Sequence, residues 1–404
     1  MRHAARGTDA ALDAAHLRRL NLERVLGAAI ARDGAFTRAE LMSATGLSAP
    51  TVGTIASHLL QIGLLTDLGA GPSRGGRRPA RMQFNARHRF VAGIDLGPTR
   101  TRLALADLRG EILIRRVRPT PQDRDPEPLL ESLARDVQGL MAEAGLSGSR
   151  LIAVGAGAPG IVNRARGMVV ELAPNLKGWS DIPMGSILHG ALDAPVVVEN
   201  DVNLAVLGEH WQGAARGHDT CAYLSFGTGI GAGIMVDGHL HHGAHFLAGQ
   251  IGLMSMGPQF IDTDFGGRGC LESLAGLGPL RVRARDVVAD SPTWLDELFR
   301  AAARGSEPAR VLVHDVAALV GIAAANVCSV LDPSLLVLGG SLVAAGPSLI
   351  EEVRRIVART IPTPPRIVPT SLEKDAPLLG SVIIATAEAR EHLRQEIAER
   401  RNGG

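Results

Sequence analysis

Three stretches in which an apolar run stops abruptly on glycines most constrain what this 404-residue chain can fold into. They are FVAGIDLGPT (90–99), LSFGTGIGAGIMVDG (224–238) and LLVLGGSL (335–342). Each reads as a buried strand closing on a turn whose backbone N–H groups are free to hold an anion. In the first, Asp95, Gly97 and Thr99 form D-x-G-x-T, which offers a carboxylate, an N–H and a hydroxyl to phosphate and its metal ion. In the third, the paired glycines leave room for a nucleotide base. One such turn arises easily by chance. Three in this order and spacing are a far stronger signal, and they point to an α/β body.

A chain of this length is expected to hold two or three domains. Its cysteines, Cys221, Cys270 and Cys328, are three and widely spaced, which argues against a disulfide framework and for a reducing cytoplasm. The opening MRHAARGTDA lacks the apolar core of a signal peptide. Uncharged stretches such as 333–350 are broken by Gly339-Gly340 and Gly346-Pro347, so no membrane span is expected. Charge, however, is uneven. Residues 1–90 carry 13 arginines, no lysine and 6 acids, whereas the remainder has 29 basic and 35 acidic residues. A basic head on an acidic body is the pattern of a nucleic-acid-binding protein.

That head has more than charge. Residues 17–33 show helical apolar spacing. Thr37 and Glu40 make a capping-box pattern opening a short helix that ends near Gly46. Ser48 is placed to cap a second helix with Pro50 in its first turn, and Val52, Ile55, Leu59 and Ile62 share its inner face. Thr51, Thr54 and His58, with Ser57 beside them, lie on another face as polar groups able to reach base edges. Two short helices around a tight turn give a helix-turn-helix. Strands at 64–67 and 81–85 then flank GAGPSRGGRRPA, a wing carrying Arg74, Arg77 and Arg78 to a minor groove or to phosphates. A helical hairpin for protein contacts is the alternative. Helix order, cap, turn and basic wing all favour the winged helix-turn-helix, with DNA contacts at Ser48, Thr51, Thr54, Ser57, Arg74, Arg77 and Arg78.

In the body, VVVENDVNLAVLGEHW (196–211) is a strand leading through Asn200-Asp201 into a helix. A carboxylate there suits a general base in a cleft, or simply a helix N-cap. Four histidines, His239, His241, His242 and His245, crowd the hairpin after Gly238. Their density suggests a metal site, but a solvated hairpin is the commoner use of such a cluster.

The chain resembles the ROK family of repressors, open reading frames and sugar kinases. The resemblance rests on DLGPT, GAPG, PNLKGW, ENDVN, GTGIGAG, AGQIG, GGRGCLE and VLGGSL, in family order. With the winged head in front, it is similar to the repressor branch. The resemblance implies a two-lobed actin-like ATPase fold: a head of 1–88, a small α/β lobe of 89–198 against which helix 380–400 packs, and a large α/β lobe of 199–379. It implies an effector pocket of Asn200, Asp201 and Glu272, the aspartate being the base in the kinases. This chain departs from the pattern at five positions. Gln250 replaces a pocket glutamate, and Leu253 replaces a histidine shared by sugar and zinc. Of the zinc set only Cys270 remains, with Thr263 and Phe265 at the other cysteine positions, so no metal is expected. Pro98 replaces a phosphate-turn glycine and removes an N–H, which disfavours ATP. The expectation is a cytoplasmic, non-enzymatic DNA-binding repressor that senses a sugar or related ligand, acting as a homodimer or homotetramer on double-stranded DNA. An active sugar kinase and a ligand-blind DNA-binding protein are the alternatives.

Overall fold

The structure, a computed structural model, describes residues 3–70, 80–121, 125–171 and 178–402. Most of the wing tip, including Arg74, Arg77 and Arg78, and most of the PNLKGW motif lie outside the described residues.

The head comprises α1 (His3–Ile30), β1 (Phe36–Thr37), α2 (Arg38–Thr45), α3 (Ala49–Gln61), β2 (Leu65–Ala70) and β3 (Ala80–Phe84). α2 begins in the expected capping box: Thr37 accepts from the Glu40 amide while Glu40 accepts from Thr37 N–H at 2.7 Å. It stops at Gly46, whose φ of 69° suits a residue without Cβ. α3 buries Val52, Ile55, Ala56 and Leu59. β1, two residues long and invisible to periodicity, pairs with β3 and completes a three-stranded sheet in the order β1-β3-β2. The described part of the first ninety residues therefore forms a winged helix-turn-helix.

The body holds two five-stranded sheets. The first is built from β4 (Phe90–Leu96), β5 (Arg100–Asp107), β6 (Ile112–Pro119), β7 (Leu151–Ala158) and, after a small ribbon of β8 (Ile161–Asn163) and β9 (Met168–Glu171), β10 (Val196–Asn200). Helices α4 (Pro126–Glu143) and α5 (Met184–Leu192) cover one face. The second sheet contains β11 (Cys221–Phe226), β12 (Ile230–Val236), β13 (His239–Leu240), β14 (Leu335–Gly339) and β15 (Arg366–Pro369). Strand orders are β6-β5-β4-β7-β10 and β13-β12-β11-β14-β15, each with two antiparallel pairings followed by two parallel ones. This repeated topology makes the body a two-lobed actin-like ATPase fold. Between the sheets run α6 (Asp201–Gln212) and, after α7 (Cys270–Ala275), α8 (Leu277–Ala284), α9 (Trp294–Ala303), α10 (Glu307–Leu331), α11 (Ser341–Ala345) and α12 (Pro347–Thr360), the terminal α13 (Ala376–Asn402).

α13 lies against β4 and β7 of the first sheet and crosses α6. Glycines permit this approach: a Cβ on Gly155 would stand 2.0 Å from the Ser381 carbonyl oxygen, and one on Gly380 1.9 Å from that of Leu204. The other face of α13 continues into the head, since Leu378, Val382, Ala385, Ala389, Leu393 and Ile397 share one buried cluster with Leu22, Val25, Leu26 and Phe36. Head and body are thus joined through a common core. α10 is the one described helix long and apolar enough to cross a membrane, yet half of that window is buried within the protein.

Candidate functional site

On the head, the outward side of α3 presents Ser48, Thr54 and Ser57 to solvent, with Thr51 half-buried beside them. Ser48 occupies the N-cap position but makes no cap bond; its hydroxyl instead meets that of Thr51 at 2.9 Å. The expected side-chain cap is therefore absent: with Pro50 in the first turn, fewer N–H donors need one. Thr54 donates back to the Pro50 carbonyl at 2.9 Å. Ser57 accepts a bond from Arg38 at 3.1 Å, which fixes an exposed guanidinium beside the recognition surface. Sequence reasoning passed over Arg38, and its only signal was its place directly after the Thr37 cap.

In the body, the expected effector residues sit around the start of α6. Asn200 is its N-cap: Oδ1 accepts from Val202 and Asn203 amides at 2.9 and 3.1 Å, while Nδ2 donates to the Gly160 carbonyl. The cap reading for Asp201 consequently fails, because the preceding residue fills that role. Asp201 occupies the first helical position, and one of its oxygens accepts from Val202 N–H. β12 runs alongside α6, with Gly231 facing Val202 and the Gly249 carbonyl. Gly249 approaches β12 so closely that its carbonyl takes the Ala232 amide at 2.6 Å, which sets Gln250 and the 251–253 turn at the strand's flank. Glu272, near the start of α7, accepts the Ile230 amide at 2.9 Å and passes beside Gly252. The fold thus brings Asn200, Asp201, Gln250 and Glu272 onto elements that border one another.

Electrostatics here are unusual for so few charges. Burial pushes the Asp95 carboxyl up to about 6, against the pull of Arg102, whose guanidinium lies 3.1 Å away. Burial, then the Asp95 charge, pushes Asp201 up to about 7. Burial also raises Glu272, with the Ile230 amide opposing it. An acid whose folded pKa is raised stabilises the fold below its unfolded value, and that contribution is lost as pH climbs through the folded one. For Asp201 the window runs from the ordinary 3.8 to about 7. Asp201→Asn is therefore expected to raise the melting temperature at pH 8 relative to the parent and to lose that advantage at pH 4. Equal gains at both pH values would contradict a proton-holding Asp201.

Of the two phosphate turns, the first is closed internally. Thr120 donates its hydroxyl to the Gly97 carbonyl at 2.8 Å and its amide to that of Thr99 at 2.9 Å. Arg102 on Asp95 places a fixed cation against the carboxylate that a phosphate-bound metal would need. At the second turn, Gly227 N–H bonds the Gly229 carbonyl at 3.1 Å, and Gly340 packs close over Phe226. Residues 253–270 show what occupies the zinc-loop positions: Leu253 and Thr263 are exposed, Phe265 packs tilted against Phe260 with ring centres 6.1 Å apart, and Cys270 is buried.

The histidine hairpin is only partly solvated. His239, His241 and His245 are exposed, as a solvated hairpin requires. His242 instead turns inward, and its Nε2 stands 2.8 Å from Glu199. Glu199 is 1% exposed and directly precedes Asn200. Burial alone would raise its pKa, but bonds from His242 and Asn203 and the Asn200 amide outweigh it and hold the carboxyl low. A buried carboxylate must be paired, and His242 joins Arg164, whose guanidinium stands 3.5 Å away, in meeting that demand. Nothing in the spacing of HLHHGAH distinguishes His242 from its neighbours.

A family model described as "ROK family" matches residues 91–388. The xylose repressor of Caldicellulosiruptor bescii is 30% identical over 333 residues, covering 80% of this chain and 83% of that protein. The crystal structure of a ROK hexokinase from Thermus thermophilus is 33% identical with a TM-score of 0.64, covering 75% of this chain and 99% of that one. A ROK family transcriptional regulator, a homolog of the E. coli MLC protein, aligns with a TM-score of 0.78 at 23% identity, over 95% of this chain and 99% of that one.

Proposed function

The chain belongs to the ROK family, and on that premise we propose that it is a cytoplasmic DNA-binding transcriptional repressor whose kinase-like body senses a sugar. The observation that carries this reading is the winged head, complete in helix order and sheet and sharing one buried core with the body. The fold alignment with the ROK transcriptional regulator covers 95% of this chain and so takes in most of the head, whereas the hexokinase likeness spans 75%. The division into 1–88, 89–198 and 199–379, with 380–400 packed on the small lobe, goes with this assignment.

In this reading Asn200, Asp201, Gln250 and Glu272 hold the effector's hydroxyls, and Leu253 gives one side of the pocket an apolar wall. The body does not turn over ATP. Arg102 already neutralises Asp95, Pro98 withholds one N–H from the phosphate turn, and Leu253 supplies no imidazole. No zinc is held, since three of the four ligand positions carry Leu253, Thr263 and Phe265. A homodimer or homotetramer would place two heads on paired half-sites, so ligand-driven closure of the cleft changes their spacing and loosens DNA. One observation keeps the kinase alternative definite: an aspartate near neutrality at the helix start is poised as a base. An ATP-turnover assay with hexoses, pentoses and N-acetylhexosamines is expected to give no phosphorylated sugar, and turnover would establish the kinase.

The regulator reading is tested by titrating the full chain onto the gene's own upstream DNA, with and without D-xylose, D-glucose and N-acetyl-D-glucosamine. Salt-sensitive binding well above that to unrelated DNA, weakened by one of the sugars, is expected. Equal affinity for unrelated DNA would end the proposal; specific binding unmoved by sugars would favour the ligand-blind alternative. Replacing Arg77 and Arg78 together with alanine is expected to weaken binding and flatten its dependence on salt. An unchanged slope would place the wing off the DNA.

A further inference from the structure

α6 starts at the candidate effector site and finishes under the head. Its twelve residues span about 18 Å, given a rise of ~1.5 Å per residue. At the far end Trp211 lies against the hairpin turn between β5 and β6. Contact there is tight: a Cβ on Gly110 would stand 2.6 Å from Trp211 Cη2, and Gly110 has a φ of +84° that few other residues adopt. The turn itself is stiff. Buried Asp107 accepts the amides of Arg109 and Glu111 at 2.8 and 3.1 Å, and two backbone bonds close it.

On its other side the same turn grips the head. Leu108 is buried in the shared core and donates its amide to the Ala86 carbonyl at 3.1 Å. Arg109 hydrogen-bonds the carbonyl of Arg32, just beyond α1. Its guanidinium sits 5.6 Å from the centre of the Phe84 ring on β3, and it reaches Asp33 at 3.5 Å. One short turn therefore touches α6 on one face, and both the first helix's end and the wing strand on the other. Meanwhile Glu209 ties the end of α6 to residues 370–372 beside the second sheet, so that α6 is bonded to that lobe as well as packed on α13.

We propose that Trp211 and Arg109 are the positioning residues that convert a change at Asn200-Asp201 into a change in head orientation, with the 107–111 turn as the wedge between them. The inference rests on the regulator reading for its purpose, but its geometry is independent of any ligand. A tilt of α6 pivots Trp211 against Gly110. Because Asp107 holds the turn rigid, the displacement passes to Arg109 and so to α1 and β3. The contact is steric on one side and polar on the other, so each half can be broken separately.

The test measures spin-label distances in the full chain between Ser43→Cys on α2 and Ser186→Cys on α5, both exposed, while the three native cysteines are buried. The parent should give one narrow distribution. Asn200→Ala, which removes the α6 cap, should shift it, and Asp201→Asn serves the same purpose if that variant does not fold. The shift should vanish when Arg109→Ala or Trp211→Ala is added, and Arg109→Lys should restore it only partly, because lysine cannot reproduce the planar fork. A merely structural role for Arg109 would leave the two changes additive. No shift from either effector-site variant, or an equal shift in the Arg109→Ala background, overturns the proposal. DNA titrations run separately on the same proteins: loss of specific DNA binding with the distances behaving as described would count against the regulator reading alone.

Discussion

Glu209→Ala is expected to destabilise the protein by about 3–5 kcal/mol, the cost of removing a buried carboxylate that several partly buried donors share. Glu209 is 0% exposed on α6. Its carboxylate accepts the Ala214 amide at 2.7 Å, the Ser371 amide and hydroxyl at 3.0 and 2.9 Å, the Leu372 amide at 3.1 Å and the Thr370 hydroxyl. Alanine leaves all of these without an acceptor and opens a cavity where water has poor access. Glu209→Gln keeps the volume and one oxygen, so it should lose less. Denaturant unfolding at pH 7 checks both, and a loss under 1 kcal/mol for alanine would mean the loop at 370–372 finds other partners. The consequence for function is larger than for a core truncation, since the same clamp fixes α6 to the second lobe.

Thr54→Glu with Ser57→Glu is expected to lower specific DNA affinity by on the order of 100-fold or more, because two carboxylates would then face phosphate and base acceptors. Both positions are exposed, so stability should move by no more than about 0.5 kcal/mol. Arg38, which now bonds Ser57, would be drawn to the new carboxylates and withdrawn from DNA. Gel-shift titration at two salt concentrations, beside a melting curve, separates lost recognition from lost folding. Unchanged affinity would show that α3 does not enter the groove, whatever the wing does.

Much of this molecule was legible before any coordinate. Thr37, Glu40 and Gly46 bound a helix by local hydrogen bonding, and such bonds depend only on near neighbours in the chain. The glycine turns at 97, 227 and 339–340 were legible for the same reason: a strand that must stop on a tight turn advertises it. Departures from the family pattern at Pro98, Gln250 and Leu253 could likewise be read directly, since each is a change of chemistry at a known place.

What sequence order conceals is pairing across distance. β1 is only two residues, too short for any period, and exists because β3, some 45 residues later, offers it an edge. His242 is one of four similar histidines until Glu199, 43 positions away, selects it. Arg102 became part of the phosphate site only when β4 and β5 paired and set it beside Asp95. The doubling of one strand order in two sheets left no visible repeat in the residues, because topology constrains burial and direction but not side-chain identity. Local bonding and composition determined the winged head, the glycine turns and the residues that depart from the kinase pattern. Only the tertiary structure decided which buried charges found partners and which turn joins the body to the head, since those choices depend on desolvated groups meeting across the fold.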